Sequence, residues 1–246
     1  MKIYVISLAD AVNRREQISA QLEAYQLSYE FFDAMRGNPD IAQNHNYAYD
    51  YREKMFGRQM TAGEIGCFMS HQELWRKIAA GNQPVCIMED DVILTKNFAR
   101  ALSLLENYQN YDILRLSGIF NRKWFIWQHF SDLKLVKFWR DPMGTQCYII
   151  KPEAAKRLLA KSPLINAPVD DFLGNYALHR LNVVGCDPYL IEHDWDIPSQ
   201  LGHRHTKRKL SVLEKIRREF IIQGNGVMNF MIQLGYFLKT KLGLLK

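Results

Sequence analysis

A chain of 246 residues, 48% hydrophobic and 24% charged, carries enough apolar mass for one large globular core, which excludes a disordered or fibrous protein. Cys67, Cys86, Cys147 and Cys186 stand apart with no CxxC or zinc spacing, so buried reduced thiols are expected in place of a disulfide framework. The net charge of +6 is uneven: residues 204–246 hold ten Lys/Arg against Glu214 and Glu219, while the body before them is near neutral. Such a tail points to an anionic partner, either membrane or nucleic acid.

Residues 2–8 (KIYVISL) read as a buried strand, too short for a signal-peptide core, and no export is expected. Asp10 is a candidate N-cap for a helix over 11–27, with Arg14 and Arg15 in its first turns. Residues 29–34 (YEFFDA) read as a second strand, so the opening is a β-α-β unit with a parallel pair. Residues 35–60 read as an irregular or helical insert with Gly37-Asn38-Pro39 as a turn. Thr61 to Glu64 has capping-box spacing and opens a helix to about Ala80, whose early Gly63 and Gly66 suggest close packing or a nearby ligand.

Residues 84–94 (PVCIMEDDVIL) follow a Gly-Asn-Gln-Pro turn signal and read as a buried strand ending in three carboxylates. Adjacent acids there repel one another unless a cation or polar ligand neutralises them, and strand carboxyl ends are where α/β folds bind ligands. Two readings stand open from these residues alone: a divalent metal held against a phosphorylated substrate, or a solvated acidic turn.

Beyond lie a helix over about 96–108, a strand at 111–116, a hairpin over 118–140, a strand at 145–150 and a helix opening at Pro152. Ala167 to Asp171 leads into a helix reaching about Arg180, and 182–191 is a last strand. The sum is a mixed twisted sheet with helices on both faces.

VISLADAVNRR, FFDA, TAGEIGCFMSHQELW, CIMEDDVIL, GTQCYIIKPEAAKRLL and PVDDFL occur in the order and at the spacings of glycosyltransferase family 25, and the chain resembles that family over roughly residues 2–200. These are bacterial lipooligosaccharide sugar transferases, mostly galactosyltransferases. The resemblance implies a Rossmann-like, GT-A-type α/β fold over residues 1–202, a UDP-sugar donor, inversion at the anomeric carbon, and a lipooligosaccharide acceptor. Hard oxygen ligands suit Mn²⁺ or Mg²⁺. Glu89-Asp90-Asp91 resembles the DxD of such enzymes, which makes Asp91 the first metal ligand and Glu89 the second, with Asp90 facing the ribose or its own helix. Ser7, Leu8, Arg14, Asp33, Ala34, Gly63, Glu64, Ser70 and His71 match motifs expected to line the donor pocket; His71 also reads as a hydrogen-bonded core histidine. His193 is either a third metal ligand or a surface-loop histidine. An inverting transfer needs a base; Asp171 is chosen for it and Asp170 for an acceptor contact, with N-capping as the plain alternative.

His203 and His205 flank Arg204 and belong to the basic patch. In the basic amphipathic region 203–246, Leu210, Leu213, Ile216 and Phe220 share a face, and Gln223 to Gly226 divides the uncharged run 220–238. A spanning helix needs about 20 mostly apolar residues. A pair of amphipathic helices on an anionic inner leaflet is therefore expected, which places the protein on the cytoplasmic face of the bacterial inner membrane. Packing on this domain or on a second subunit, as in a homodimer, is the alternative. A phosphodiesterase or nuclease built on the same acids explains the charge asymmetry but not GEIGC-SH, and aromatic residues are not interleaved with the basic cluster, so no nucleic acid is expected. Retention of both acid clusters argues against a non-catalytic scaffold.

Overall fold

The computed structural model describes residues 1–44, 46–193 and 208–244; His203 and His205 lie outside them. Ten strands and eight α-helices alternate through most of these residues. The order is β1 (Lys2–Ser7), α1 (Val12–Ala24), β2 (Tyr29–Asp33), α2 (Tyr49–Phe56), α3 (Ala62–Ala79), β3 (Val85–Glu89), β4 (Val92–Leu94), α4 (Phe98–Leu105), β5 (Ile113–Arg115), β6 (Trp124–Phe130) and β7 (Leu133–Phe138). It continues through β8 (Cys147–Ile150), α5 (Pro152–Lys161), α6 (Val169–Leu173), α7 (Tyr176–His179), β9 (Val183–Asp187), β10 (Ile191–His193) and α8 (Val212–Lys241).

The main sheet runs β2-β1-β3-β8-β5-β9-β7-β6, with β10 and β4 forming a separate antiparallel pair. β1 is parallel to both β2 and β3, whereas β8 runs antiparallel to β3 and β5. This is the expected mixed sheet of an α/β fold with helices on both faces. Alternation builds two cores: Ile3, Val5, Cys86 and Met88 face α1 and α4, while Tyr4, Ile6, Val85 and Ile87 face α3 and α5. The chain crosses from β1 to β2 on one side and later returns to β3 on the other. The carboxyl ends of β1 and β3 thus form a topological switch point, where α/β sheets hold ligands. Ser7 and Glu89 are the last residues of those two strands.

Three local expectations change. Asp10 does not cap α1, which begins after Ala11; its carboxylate pairs with Arg36 at 2.7 Å. The helix expected from Val169 to about Arg180 divides into α6 and α7 at Gly174-Asn175, where the Asn175 side chain caps the second piece. Residues 223–226 do not divide the tail: α8 is one helix of 30 residues, opened by a Ser211–Glu214 capping box. Anchors on the body outweigh the cost of its glycines. The Ala177 amide donates to Asn229 Oδ1 at 2.7 Å and Asn229 Nδ2 donates to the Gly174 carbonyl at 3.2 Å. Phe237 packs on Phe125, Phe230 stacks on Trp139, and Tyr236 covers the buried Lys137 ammonium.

His179 fastens α7. Nδ1 accepts from the Leu181 amide and Nε2 donates to the Leu173 carbonyl, so the buried ring is satisfied only when neutral. Burial lowers its pKa from 6.5 to about 4. Between those values the unfolded chain binds the extra proton, so stability falls as pH falls through this window, by ~3 kcal/mol in all. Urea midpoints measured from pH 7 to pH 4.5 should show this decline, and His179→Gln should flatten it; an unchanged slope in the variant contradicts the assignment.

Candidate functional site

The acids after β3 occupy three different environments. Asp90 is buried: Ser7 Oγ donates to its Oδ2 at 2.6 Å and Arg14 Nη1 to its Oδ1 at 2.9 Å. It therefore faces the end of β1 and the first turn of α1, not open solvent. Arg14, expected to line the donor pocket, also reaches Asp91 at 3.9 Å. The neighbouring Arg15 ties the strand ends together, donating to the carbonyls of Ser7 and Leu8 at 3.0 and 3.1 Å and to Asp33 at 2.5 Å. The Ala34 amide donates to the Ser7 carbonyl at 2.8 Å. Ser7, Leu8, Arg14, Asp33 and Ala34 are thus brought to one place.

The start of α3 closes the other side. Thr61 and Glu64 form the reciprocal capping box that their spacing predicts. The Met35 amide donates to Ser70 Oγ at 2.8 Å, and Ser70 donates onward to the Gly66 carbonyl at 2.7 Å. Ser70 thereby fastens the loop after β2 to the helix that carries Gly63. A Cβ on Gly66 would lie 2.5 Å from the Met35 carbonyl oxygen, and one on Gly37 would lie 2.2 Å from that of Ala62.

Below this loop, the Trp75 Nε1–H donates to Tyr148 Oη at 2.9 Å, and Tyr148 Oη meets His71 Nδ1 at 2.8 Å. Indole can only donate, so the buried phenol is satisfied when its proton goes to Nδ1. That leaves the proton of a neutral His71 on Nε2, which faces Glu89 Oε1 at 3.7 Å. His71 is thus both a hydrogen-bonded core histidine and a neighbour of the acid cluster. Thr145 Oγ1 donates to the same Glu89 oxygen at 2.5 Å. Burial works to raise the Glu89 carboxyl, but His71, Thr145 and His193 outweigh it and hold it below the ordinary carboxylate value.

Asp91 is the unresolved charge. Its carboxyl is pushed up to about 7, first by burial and then by Glu89, against a smaller opposing effect of Arg14. Its Oδ1 is buried with no hydrogen-bond partner among the described residues. A buried carboxylate oxygen left without a donor, beside a second carboxylate, fits a hard divalent cation. His193 lies opposite Val92 in the β10–β4 register, next to Asp91 in sequence, and its charge is felt at Glu89. Among the described residues, the ligand atoms that already lie within 4.8 Å of one another belong to Cys67, His71 and Glu89. Burial pushes the Cys67 thiol well up, and a thiol–imidazole set suits a softer ion than Mn²⁺ or Mg²⁺.

The Asp170-Asp171 pair divides. Asp170 is partly buried and points inward; burial raises its carboxyl, Glu89 and Asp141 add to the rise, and the Asp171 amide and Arg115 oppose it. Asp171 is exposed, and its charge is felt on the other side, at Arg52 of α2. Burial and then the charges of Glu89, Asp170, Asp91 and Glu64 all raise the Cys67 thiol, so these acids lie in one region of the fold. The motifs did not single out Arg115. It is 3% exposed, donates to the Gly144 carbonyl at 2.5 Å and pairs with Asp141 at 3.1 Å, and Tyr176 Oη donates to the same Asp141 at 2.6 Å. An arginine inside the apolar strand 111–116 was the available signal.

A family model described as Glycosyltransferase family 25 (LPS biosynthesis protein) matches residues 1–173. The lipooligosaccharide biosynthesis protein lic2B of Haemophilus influenzae is 32% identical over 64% of this chain and 62% of its own length. A putative glycosyltransferase of the same species is 32% identical over 88% of this chain and 83% of its own. A human protein named as an inactive glycosyltransferase 25 family member is 31% identical over 70% of this chain. The chain spans 62% of lic2B and 31% of the human relative.

Gly66→Ala tests the joint between α3 and the loop after β2. Alanine favours a helix by about 1 kcal/mol, but the obstacle here is backbone, so the clash should win and cost ~2–3 kcal/mol net. A urea midpoint at or above that of the parent chain would show that the loop does not pack as described.

Proposed function

The chain belongs to glycosyltransferase family 25, and we propose that it is a metal-dependent inverting transferase that moves a hexose, galactose first among the candidates, from a UDP-sugar to a saccharide acceptor of the lipooligosaccharide type. The observation that carries this reading is the buried Asp91 Oδ1, which has no hydrogen-bond partner among the described residues and follows directly on Glu89 at the end of β3, with Asp170 near enough for its carboxyl to feel the Glu89 charge. Inactive relatives exist within the family, so the activity is argued from these side chains and not from membership.

The donor lies along the switch point, over Ser7 to Leu8 and Asp33 to Ala34, with the start of α3 as the second wall. Asp90 acts as a positioning residue: held by Ser7 and Arg14, it fixes the backbone from which Glu89 and Asp91 project. Asp91 is the main metal ligand, with Glu89 and His193 on its flanks. A bound Mn²⁺ or Mg²⁺ would supply neutralisation of the charge that develops on the departing diphosphate. His71 and Thr145 orient Glu89 and keep it ionised.

We assign the base to Asp170 in place of Asp171, because Asp170 faces the acid-lined space. As the acceptor hydroxyl attacks the anomeric carbon, Asp170 takes its proton and the sugar–phosphate bond breaks, releasing UDP. A carboxyl raised by burial is a better proton acceptor than an exposed one, provided it is ionised at the working pH.

The assignment is tested by UDP release from UDP-galactose and UDP-glucose with Mn²⁺, against acceptors ending in glucose, heptose, galactose or N-acetylglucosamine. Asp91→Asn and Asp170→Asn should each lower turnover by at least about a hundredfold, while Asp171→Asn should stay within a few-fold of the parent. If Asp171→Asn loses the rate and Asp170→Asn keeps it, the base is Asp171. If no acceptor stimulates UDP release with any donor, the transferase reading fails.

A further inference from the structure

Helix α8 is held to the body by one side. Asn229, Gln233, Tyr236 and Phe237 face the domain, and Gln233 is buried. On the opposite side, Leu213, Ile216, Phe220, Gly224, Val227, Met231, Gly235, Leu238 and Leu242 follow at intervals of three, four and four residues. At 100° per residue this spacing keeps all nine within about 60° of a single line. Every one is exposed; Leu213 and Phe220 keep 76% and 82% of their surface in solvent. Over the ~45 Å length of the helix, the only charged side chain within the same arc is Arg217, at its edge. A continuous apolar stripe of that length exceeds what scattered surface residues produce.

The charges nearest the stripe are all basic, while Lys215 and Arg218 share the far side with the two acids. Arg217, Lys239 and Lys241 lie within about 90° of it, whereas Glu214 and Glu219 lie more than about 100° away. Both acids are also neutralised, Glu214 by Arg208 at 2.7 Å and Glu219 by Arg218 at 2.5 Å. The stripe is therefore apolar along its centre and cationic at its borders. Among the described residues no helix is long and apolar enough to cross a membrane. A helix with this cross-section lies in an interface, its apolar line among acyl chains and its basic borders at the headgroups.

We propose that the outer face of α8 docks this protein on an anionic lipid surface, with the helix flat and the sheet domain held above it. The anchor reaches the site directly, because Asn229 is bonded to Gly174 and Ala177, in the segment that follows Asp170. A saccharide acceptor carried on lipid would thus be met beside the base. The docking itself does not depend on the transferase reading, and the two can fail separately.

The test uses the full chain in flotation with vesicles of phosphatidylcholine alone and of equal parts phosphatidylcholine and phosphatidylglycerol. The parent should float with the anionic vesicles, more weakly in 0.5 M salt, and little with the neutral ones. Replacing Leu213, Phe220, Val227 and Met231 together by Gln should lower binding by more than about tenfold, with unchanged circular dichroism and unchanged urea midpoint, since these side chains make no core contact. Arg217→Gln, Lys239→Gln and Lys241→Gln combined should remove the preference for anionic lipid. Failure of the parent to float overturns the proposal, as does flotation that the four-Gln variant retains. A dimer that the four-Gln variant dissolves, in a parent that does not float, would identify the occupant of the stripe as a second copy of the chain.

Discussion

Three adjacent carboxylates at the mouth of a buried strand are the constraint to which the rest of the site answers. Each additional negative charge in a partly buried place raises the cost of ionising the others. The fold resolves two of the three. Asp90 receives a hydroxyl and a guanidinium from β1 and α1, and Glu89 receives the Thr145 hydroxyl and the edge of His71. Asp91 is left with its carboxyl near 7 and an unmatched oxygen. A buried carboxylate oxygen without a hydrogen-bond partner among the described residues, beside a second carboxylate at a switch point, suits a ligand, and a divalent cation is one whose charge would remove the repulsion.

The supports for that arrangement come from long range in sequence. His71 is oriented by Tyr148, which is oriented by Trp75, so the middle of α3 and the antiparallel strand β8 together set the face shown to Glu89. Arg115 on β5 braces Asp141 and the Gly144 carbonyl, just before the Thr145 that binds Glu89. Asp170 enters from α6, whose successor α7 depends on a neutral His179 and on Asn229 of the terminal helix. The segment after Asp170 is thus tied through α7 to the terminal helix.

Local pattern was enough to read the β-α-β opening, the capping box at Thr61, the acidic strand end and the helix at Pro152, because each is decided by neighbours within one or two turns. It also picked out Ser7, Leu8, Arg14, Asp33 and Ala34, which the fold brings to one place because β1 and β2 pair in parallel. What it missed was decided by tertiary contact. The glycines at 224 and 226 do not stop α8, because anchors at Asn229 and beyond hold the helix together. Asp170 and Asp171 are adjacent in a first turn, and local pattern does not say that one is partly buried while the other is exposed. Arg115 could not be placed without knowing that Asp141, 26 residues later, folds back onto it.

The central claim is that the Asp91 carboxylate, whose Oδ1 has no hydrogen-bond partner among the described residues, holds a divalent cation together with a nucleoside diphosphate. Titrating the full chain with Mn²⁺ in the presence of UDP, and following loss of the free-ion signal by electron paramagnetic resonance, measures this without requiring turnover. The account predicts one bound Mn²⁺ per chain, tighter with UDP than without it, and weakened at least about tenfold in Asp91→Asn, as removal of a charged ligand demands. Binding of equal strength in the parent and the variant, or no binding by the parent with UDP present, would contradict it.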